Sequence, residues 1–265
     1  MAAMNGQERD RFAGAVLAAL PAARVINLAA STARLAGIAA RLDAAGLAWR
    51  RHEAEAPVSV EAARAHPLYR GARVRALFGR DLNRGEIGCY LSHMAAMQAA
   101  LDEGAACALI LEDDAVPLPG AGQALAALSA RLAAPAGPPV EWLGLCRTLG
   151  KWGAPLEEVA GHRLLRAWRP PLIASAILWT RPGMERFLAH VARHGIDRPV
   201  DDAMRACFAR AGTAAVLARP VFSEDGSDST IDPQSARHSG QNKLTRMRRK
   251  LPDYFWASVN RLRSG

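Results

Sequence analysis

The sequence predicts an α/β fold: a single domain with a mixed, mostly parallel central sheet flanked by helices. Three observations predict it. Short apolar runs alternate with amphipathic stretches along the chain, the pattern of strand–helix units. One run, Cys107–Leu111, is continuously apolar, as a central strand covered on both faces must be. The chain has 265 residues, half of them hydrophobic, enough to bury a sizeable core.

The elements follow in order. Arg24–Leu28 reads as a short buried strand. Ser31 offers an N-cap for a helix with Leu35, Ile38, Ala39 and Leu42 at helical spacing up to Gly46. Leu47–Glu53 is a candidate second strand, and Pro57–Arg80 reads as loop with one short helix. Asn83-Arg84-Gly85-Glu86 has capping-box spacing, and its helix runs through Ile87, Leu91, Met94, Met97 and Leu101 to Gly104. After Cys107–Leu111 the chain turns acidic and then meets Pro117 and Pro119. An Ala/Leu helix is expected over 121–134, and strands at Val140–Cys146 and Leu172–Trp179. Pro182 opens a helix to about His194, Pro199 or Asp201 opens another to Gly212, and Ala214–Phe222 is a late strand. The resulting division is an extension over residues 1–22, a domain over 23–236 and a basic tail over 237–265.

Charge and cysteine usage narrow the classes. Eight cations and one acid, Asp253, lie from Arg237 onward, so this stretch carries +7 of the net +9 and the body is near neutral. A cationic tail on a neutral body points to a tether and not to a nucleic-acid-binding core, so no nucleic-acid partner is expected. Cys89, Cys107, Cys146 and Cys207 form no C-x-x-C pair and show no histidine at zinc-finger spacing. Buried reduced thiols in a cytosolic protein are therefore expected, without structural zinc. Phe12–Leu20 is apolar, but the charges before it (Glu8, Arg9, Asp10, Arg11) cancel, unlike the basic start of a signal peptide.

The most informative feature is Glu112-Asp113-Asp114, directly after the apolar run. Three adjacent carboxylates repel one another and are poor strand formers. At the carboxyl end of a buried strand they face the crevice where open α/β sheets bind ligands. Alternation along an extended chain sends Glu112 and Asp114 one way and Asp113 the other. A hard divalent cation, Mg²⁺ or Mn²⁺, would relieve the repulsion and leave positions for substrate phosphates. A solvated acidic turn accounts for the same three residues.

Further blocks accompany the triplet. Gly85-Glu86-Ile87-Gly88-Cys89-Tyr90-Leu91-Ser92-His93 and then Ala108–Asp114 resemble glycosyltransferase family 25, the lipopolysaccharide and lipooligosaccharide sugar transferases that also include animal collagen galactosyltransferases. The resemblance extends to Val25–Leu28 with Ser31 and Arg34, to Pro199-Val200-Asp201, and to Gly226–Thr230. Ala29 is a departure, since many members carry a charge there. The resemblance implies a GT-A-like fold, a UDP-sugar donor (UDP-galactose in the best-known members), Mn²⁺ or Mg²⁺, and transfer with inversion.

Roles follow from that resemblance. Glu112 and Asp114, with Asp113 beside them, are candidates to hold the metal and the diphosphate. Inversion in one displacement needs a base for the acceptor hydroxyl; Asp201 is the first candidate and Asp202 the second. Asp201 also suits plain helix capping. Asn27, Ser31 and Arg34 flank the end of the first strand, where a nucleotide base and ribose bind in such a fold. Glu86 and His93, seven residues apart on one helix face, are donor-side candidates, and Asp228 is a candidate for metal, acceptor or loop contacts. In the tail, Leu244, Met247 and Leu251 form one apolar stripe among cations, followed by Tyr254, Phe255 and Trp256. That pattern suits an anionic membrane surface, hence a peripheral place on the cytoplasmic face of the membrane; a solvated tail packing on the body or on an oligomer partner accounts for the same residues. The expected partners are a nucleotide-sugar donor and a glycan or glycolipid acceptor. Two rival readings stand beside this one: a metal-dependent phosphohydrolase or nucleotidyltransferase using the same crevice, and a non-catalytic carbohydrate- or lipid-binding protein.

Overall fold

A computed structural model describes residues 22–134, 137–149, 151–226 and 243–263. The expected extension over 1–22 and the Gly226–Thr230 block lie almost wholly outside them. Eight strands form one sheet in the order β2-β1-β3-β8-β5-β9-β7-β6. These are β1 (Ala23–Asn27), β2 (Trp49–Glu53), β3 (Cys107–Glu112), β5 (Trp142–Gly144), β6 (Gly153–Val159), β7 (His162–Ala167), β8 (Ala176–Thr180) and β9 (Ala214–Leu217). β1 pairs in parallel with β2 and β3, and β5 with β9, while β8 and β7 run against the rest. The mixed α/β class expected from the sequence is the observed one. A small antiparallel pair, β4 (Ala115–Pro117) with β10 (Phe222–Glu224), sits beyond the end of β3.

Helices cover both faces, and the pleat decides which side chain meets which layer. Ala108 and Ile110 of β3 join Ile26, Ile177 and Trp179 in one core. That core packs on α4 (Arg84–Asp102), α6 (Arg181–His194), α7 (Val200–Ala211) and the shorter α3 (Gly71–Phe78). Cys107, Leu109 and Leu111 face the other way with Val25, Leu143 and Leu178, against α1 (Thr32–Ala44) and α5 (Ala121–Ala133). A strand so flanked has no polar face to offer, which explains the unbroken apolar run.

Several elements differ from the sequence reading. Residues 57–80 hold two helices, α2 (Val60–Arg64) and α3, not one. The late strand divides into β9 and β10 around Pro220, which lacks an amide donor, and the halves join different sheets. The β6–β7 hairpin had no clear signal. β6 carries Pro155 and a register shift between Pro155 and Glu157, which suit only an edge strand. Its turn puts Ala160 at φ 49° and Gly161 at φ 81°, the all-positive turn that two-residue hairpins prefer.

The basic tail continues through Pro252 as one helix, α8 (Lys243–Arg263). It packs on α7 and α3. Ala257 is fully buried and Asn260 donates to the Ala209 carbonyl at 2.7 Å. Arg210 stacks over Trp256, and Arg249 over Phe78. These anchors on both sides of Pro252 hold the helix together despite the missing hydrogen bond. Among the described residues no helix is long and apolar enough to cross a membrane.

Candidate active site

The site is built where β1 and β3 end side by side, with Ile26 opposite Glu112. Glu112 shares the parity of Ile110 and so faces the α4 layer. His93 Nε2 meets its Oε1 at 3.0 Å, and the Cys89 thiol approaches the same oxygen at 3.5 Å. Asp113 shares the parity of Leu111 and faces the α1 layer. There Asn27 donates to its Oδ2 at 2.7 Å, and Arg34 pairs with its Oδ1 at 2.6 Å. Asn27 also donates to the Ser31 carbonyl at 3.1 Å. Ser31 occupies the N-cap of α1, but its hydroxyl makes no capping bond.

Asp114 lies in the turn between β3 and β4. Pairing of β10 with β4 sets Glu224 opposite Ala115, which brings a fourth carboxylate to the cluster. Glu224 accepts from Ser175 at 2.7 Å and from Arg147 at 2.8 Å. Asp114 Oδ1 is buried and has no hydrogen-bond partner among the described residues. Burial, then the charges of Glu112 and Glu224, push the Asp114 carboxyl up to about 7. Burial also raises Asp113, against the opposing pull of Asn27 and Arg34. For Glu112 burial acts upward, but the hydrogen bonds and charge from His93, with the Cys89 thiol, bring it below the ordinary value.

Two neighbouring acids on α7 have different surroundings. Asp201 accepts the Asp202 amide at 2.8 Å. Burial and then the Asp202 charge push it up to about 6, and Glu112 lies within its electrostatic reach. Asp202 is turned toward α8, where Arg249 meets its Oδ2 at 3.5 Å. Asp202 thus belongs to the helix interface, while Asp201 lies within electrostatic reach of Glu112.

α4 is held in place from its start. The Glu86 amide donates to Asn83 at 2.7 Å and the Asn83 amide donates back to Glu86 at 2.9 Å, the capping box read from the sequence. Arg80 grips both Glu86 oxygens at 2.6 Å. That carboxylate is therefore engaged in starting the helix. One turn on, a Cβ on Gly88 would lie 2.6 Å from the Glu55 carbonyl oxygen. Only glycine lets α4 approach the chain leaving β2, where Ser92 donates to the Gly88 carbonyl and accepts the Glu55 amide. This close docking sets Cys89 and His93 against the end of β3.

A hard divalent cation fits the oxygen set. Asp114 offers an orphaned, buried carboxylate oxygen, and Glu112 and Glu224 add negative charge around it. Asp113 is taken up by Asn27 and Arg34 and serves to join β1, α1 and β3. Of the residues read from the sequence, the structure brings together Asn27, Ser31, Arg34, His93, Glu112, Asp113, Asp114 and Asp201. Asp228 lies outside the described residues. Sequence reasoning missed Glu224, whose only signal was its place three residues before Ser227. It also missed Cys89, which has His93 four residues later on the same helix and Glu112 beside both.

Fold and site together define an α/β protein with a partly buried cluster of carboxylates at the carboxyl ends of β1 and β3. Residues 22–131 match the model of glycosyltransferase family 25, the lipopolysaccharide biosynthesis proteins. The matched segment runs from β1 through most of α5 and holds Asn27, His93 and the whole acidic triplet. No curated protein matches the chain.

Proposed function

We propose that the protein is a metal-dependent inverting glycosyltransferase that moves a hexose, galactose first among candidates, from a UDP-sugar to a lipopolysaccharide glycan. The observation that carries this reading is the buried, unpartnered Asp114 oxygen beside the charges of Glu112 and Glu224, with Asp201 within electrostatic reach of Glu112. Asp114 and Glu112 would hold Mn²⁺ or Mg²⁺ there. When bound, that ion supplies Lewis-acid neutralisation of the leaving diphosphate.

Asp201 takes the proton of the acceptor hydroxyl at a carboxylate oxygen. Its raised pKa, near 6, makes it a stronger base than an ordinary aspartate while leaving it ionised at neutral pH. Arg34 and Asn27, fixed through Asp113, line the side of the crevice assigned to the nucleotide. His93 orients Glu112 from the opposite layer.

The outer face of α8 suits an anionic membrane, where a lipid-linked acceptor resides. Four of the seven large apolar side chains exposed among the described residues lie on it, Met247, Leu251, Phe255 and Leu262, while the half-exposed Tyr254 ring packs on Trp152 and Arg169. Lys250, Arg261 and Arg263 share that helix. Because its inner face packs on α7, docking through α8 would hold the crevice at a fixed attitude to the lipid.

Incubating the protein with UDP-sugars, Mn²⁺ and glycan acceptor tests the reading. Acceptor-dependent release of UDP with a new glycosidic bond supports it. Acceptor-independent phosphate release would point to a phosphohydrolase instead.

A further inference from the structure

We infer that Cys89, His93 and Glu112 form a second cation site, suited to a borderline ion such as Zn²⁺, behind the oxygen-lined crevice. The argument begins with spacing. Cys89 and His93 are four apart on α4, so both project from one face of the helix. The pleat of β3 aims Glu112 at that face. Their sulfur, nitrogen and oxygen donors all lie within 4.8 Å of one another.

The separations approach those of a tetrahedral zinc site. Ordinary zinc–ligand bond lengths place neighbouring donors about 3.4–3.6 Å apart. Cys89 Sγ stands 3.5 Å from Glu112 Oε1, and His93 Nε2 stands 3.0 Å from it. Entry of the ion would widen the second, and sulfur and nitrogen already lie within 4.8 Å of each other.

The donor set chooses the ion. Thiolate and imidazole favour Zn²⁺ or Co²⁺ over Mg²⁺ and Mn²⁺, which seek oxygen. His93 is fully buried, whereas Cys89 and Glu112 keep some exposure, so solvent reaches the donor set from their side. His93 Nδ1 has no hydrogen-bond partner among the described residues. Metal-bound histidines ordinarily anchor their second nitrogen. The lack of that anchor places the site among weaker, exchangeable zinc sites, not structural ones. Binding replaces the thiol proton and any proton on His93 Nε2 with the cation, and both leave to solvent. Glu112 belongs to both sites, so an ion held here draws it from Asp114.

The test uses the full chain, freed of metal and titrated with Co²⁺, and reads absorbance, so it stands apart from transferase activity. The expected result is one equivalent bound with a thiolate-to-cobalt charge-transfer band that Zn²⁺ abolishes. Cys89→Ser should remove the band and weaken binding by at least about tenfold, while Asp114→Asn should keep it. On the wild-type protein, Zn²⁺ should slow alkylation of Cys89 as followed by peptide mass spectrometry. Absence of the band, its persistence in Cys89→Ser, its loss in Asp114→Asn, or unchanged alkylation would each overturn the assignment.

Discussion

Replacing Asp114 by Asn in the metal-free protein should stabilise the fold at neutral and alkaline pH. In the native crevice this carboxyl is pushed from 3.8 up to about 7 by burial and by the charges of Glu112 and Glu224. The native state therefore binds the Asp114 proton more tightly than the unfolded chain does. Below pH about 4 both states hold it and the group is neutral in the balance. As pH rises from about 4 to about 7 the unfolded chain releases the proton first, and native stability falls. A shift of about three units corresponds to about 4 kcal/mol. The crevice is partly open to water and its carboxylates adjust to one another, so about 2–3 kcal/mol is the expected size. Urea unfolding at about pH 4.5 and about pH 8 reads it: the advantage of Asp114→Asn over wild type should grow by that amount between the two. Mn²⁺ added at the higher pH should raise the wild-type midpoint and leave the variant's unchanged. A stability difference independent of pH would refute the clustering of charge on which the site rests.

The remaining expectations concern the base, the scaffold and the tail. Asp201→Asn should lower kcat about 10²–10⁴-fold. The wild-type rate should rise as pH passes through about 6, and the variant's profile should lose that limb; an unaltered profile would remove Asp201 from proton transfer. Asn83→Ala should cost about 1–2 kcal/mol in urea unfolding, through loss of the capping box at the start of α4; a cost near zero would contradict it. Changing Met247, Leu251 and Phe255 together to Glu should abolish binding to anionic vesicles and spare the thermal midpoint, since all three are exposed. Equal vesicle recovery would remove the docking role. Deleting α8 whole should instead destabilise the fold, because Asp253, Ala257 and Asn260 are buried in it.

What the sequence revealed was local. The capping box of Asn83 and Glu86 depends on four consecutive residues, and the apolar run ending in Glu112-Asp113-Asp114 announces both a doubly covered strand and its acidic end. Strand parity, too, needs no tertiary knowledge: it separates Glu112 from Asp113, and the structure sends them to α4 and α1 respectively. The features that escaped notice depend on distant pairing. Glu224 reaches Asp114 only because β10, three residues long, pairs with β4 more than a hundred residues earlier. The β6–β7 hairpin forms an edge around Pro155, where propensity argues against a strand. In α8 the apolar stripe and packing on the body were both legible as readings, but the surface it packs on was not, since Asn260 reads as a surface residue until the Ala209 carbonyl is set beside it. Asp201 and Asp202 are alike in sequence, and only the direction of α7 distinguishes the crevice from the helix interface.

The most direct measurement is the affinity for UDP, by calorimetry, with Mn²⁺ and with chelator, in wild type and in Asp114→Asn. The wild-type protein should bind UDP tightly only when the ion is present, and the substitution should erase the difference. Equal affinity with and without the ion would contradict a crevice that grips a diphosphate through a cation.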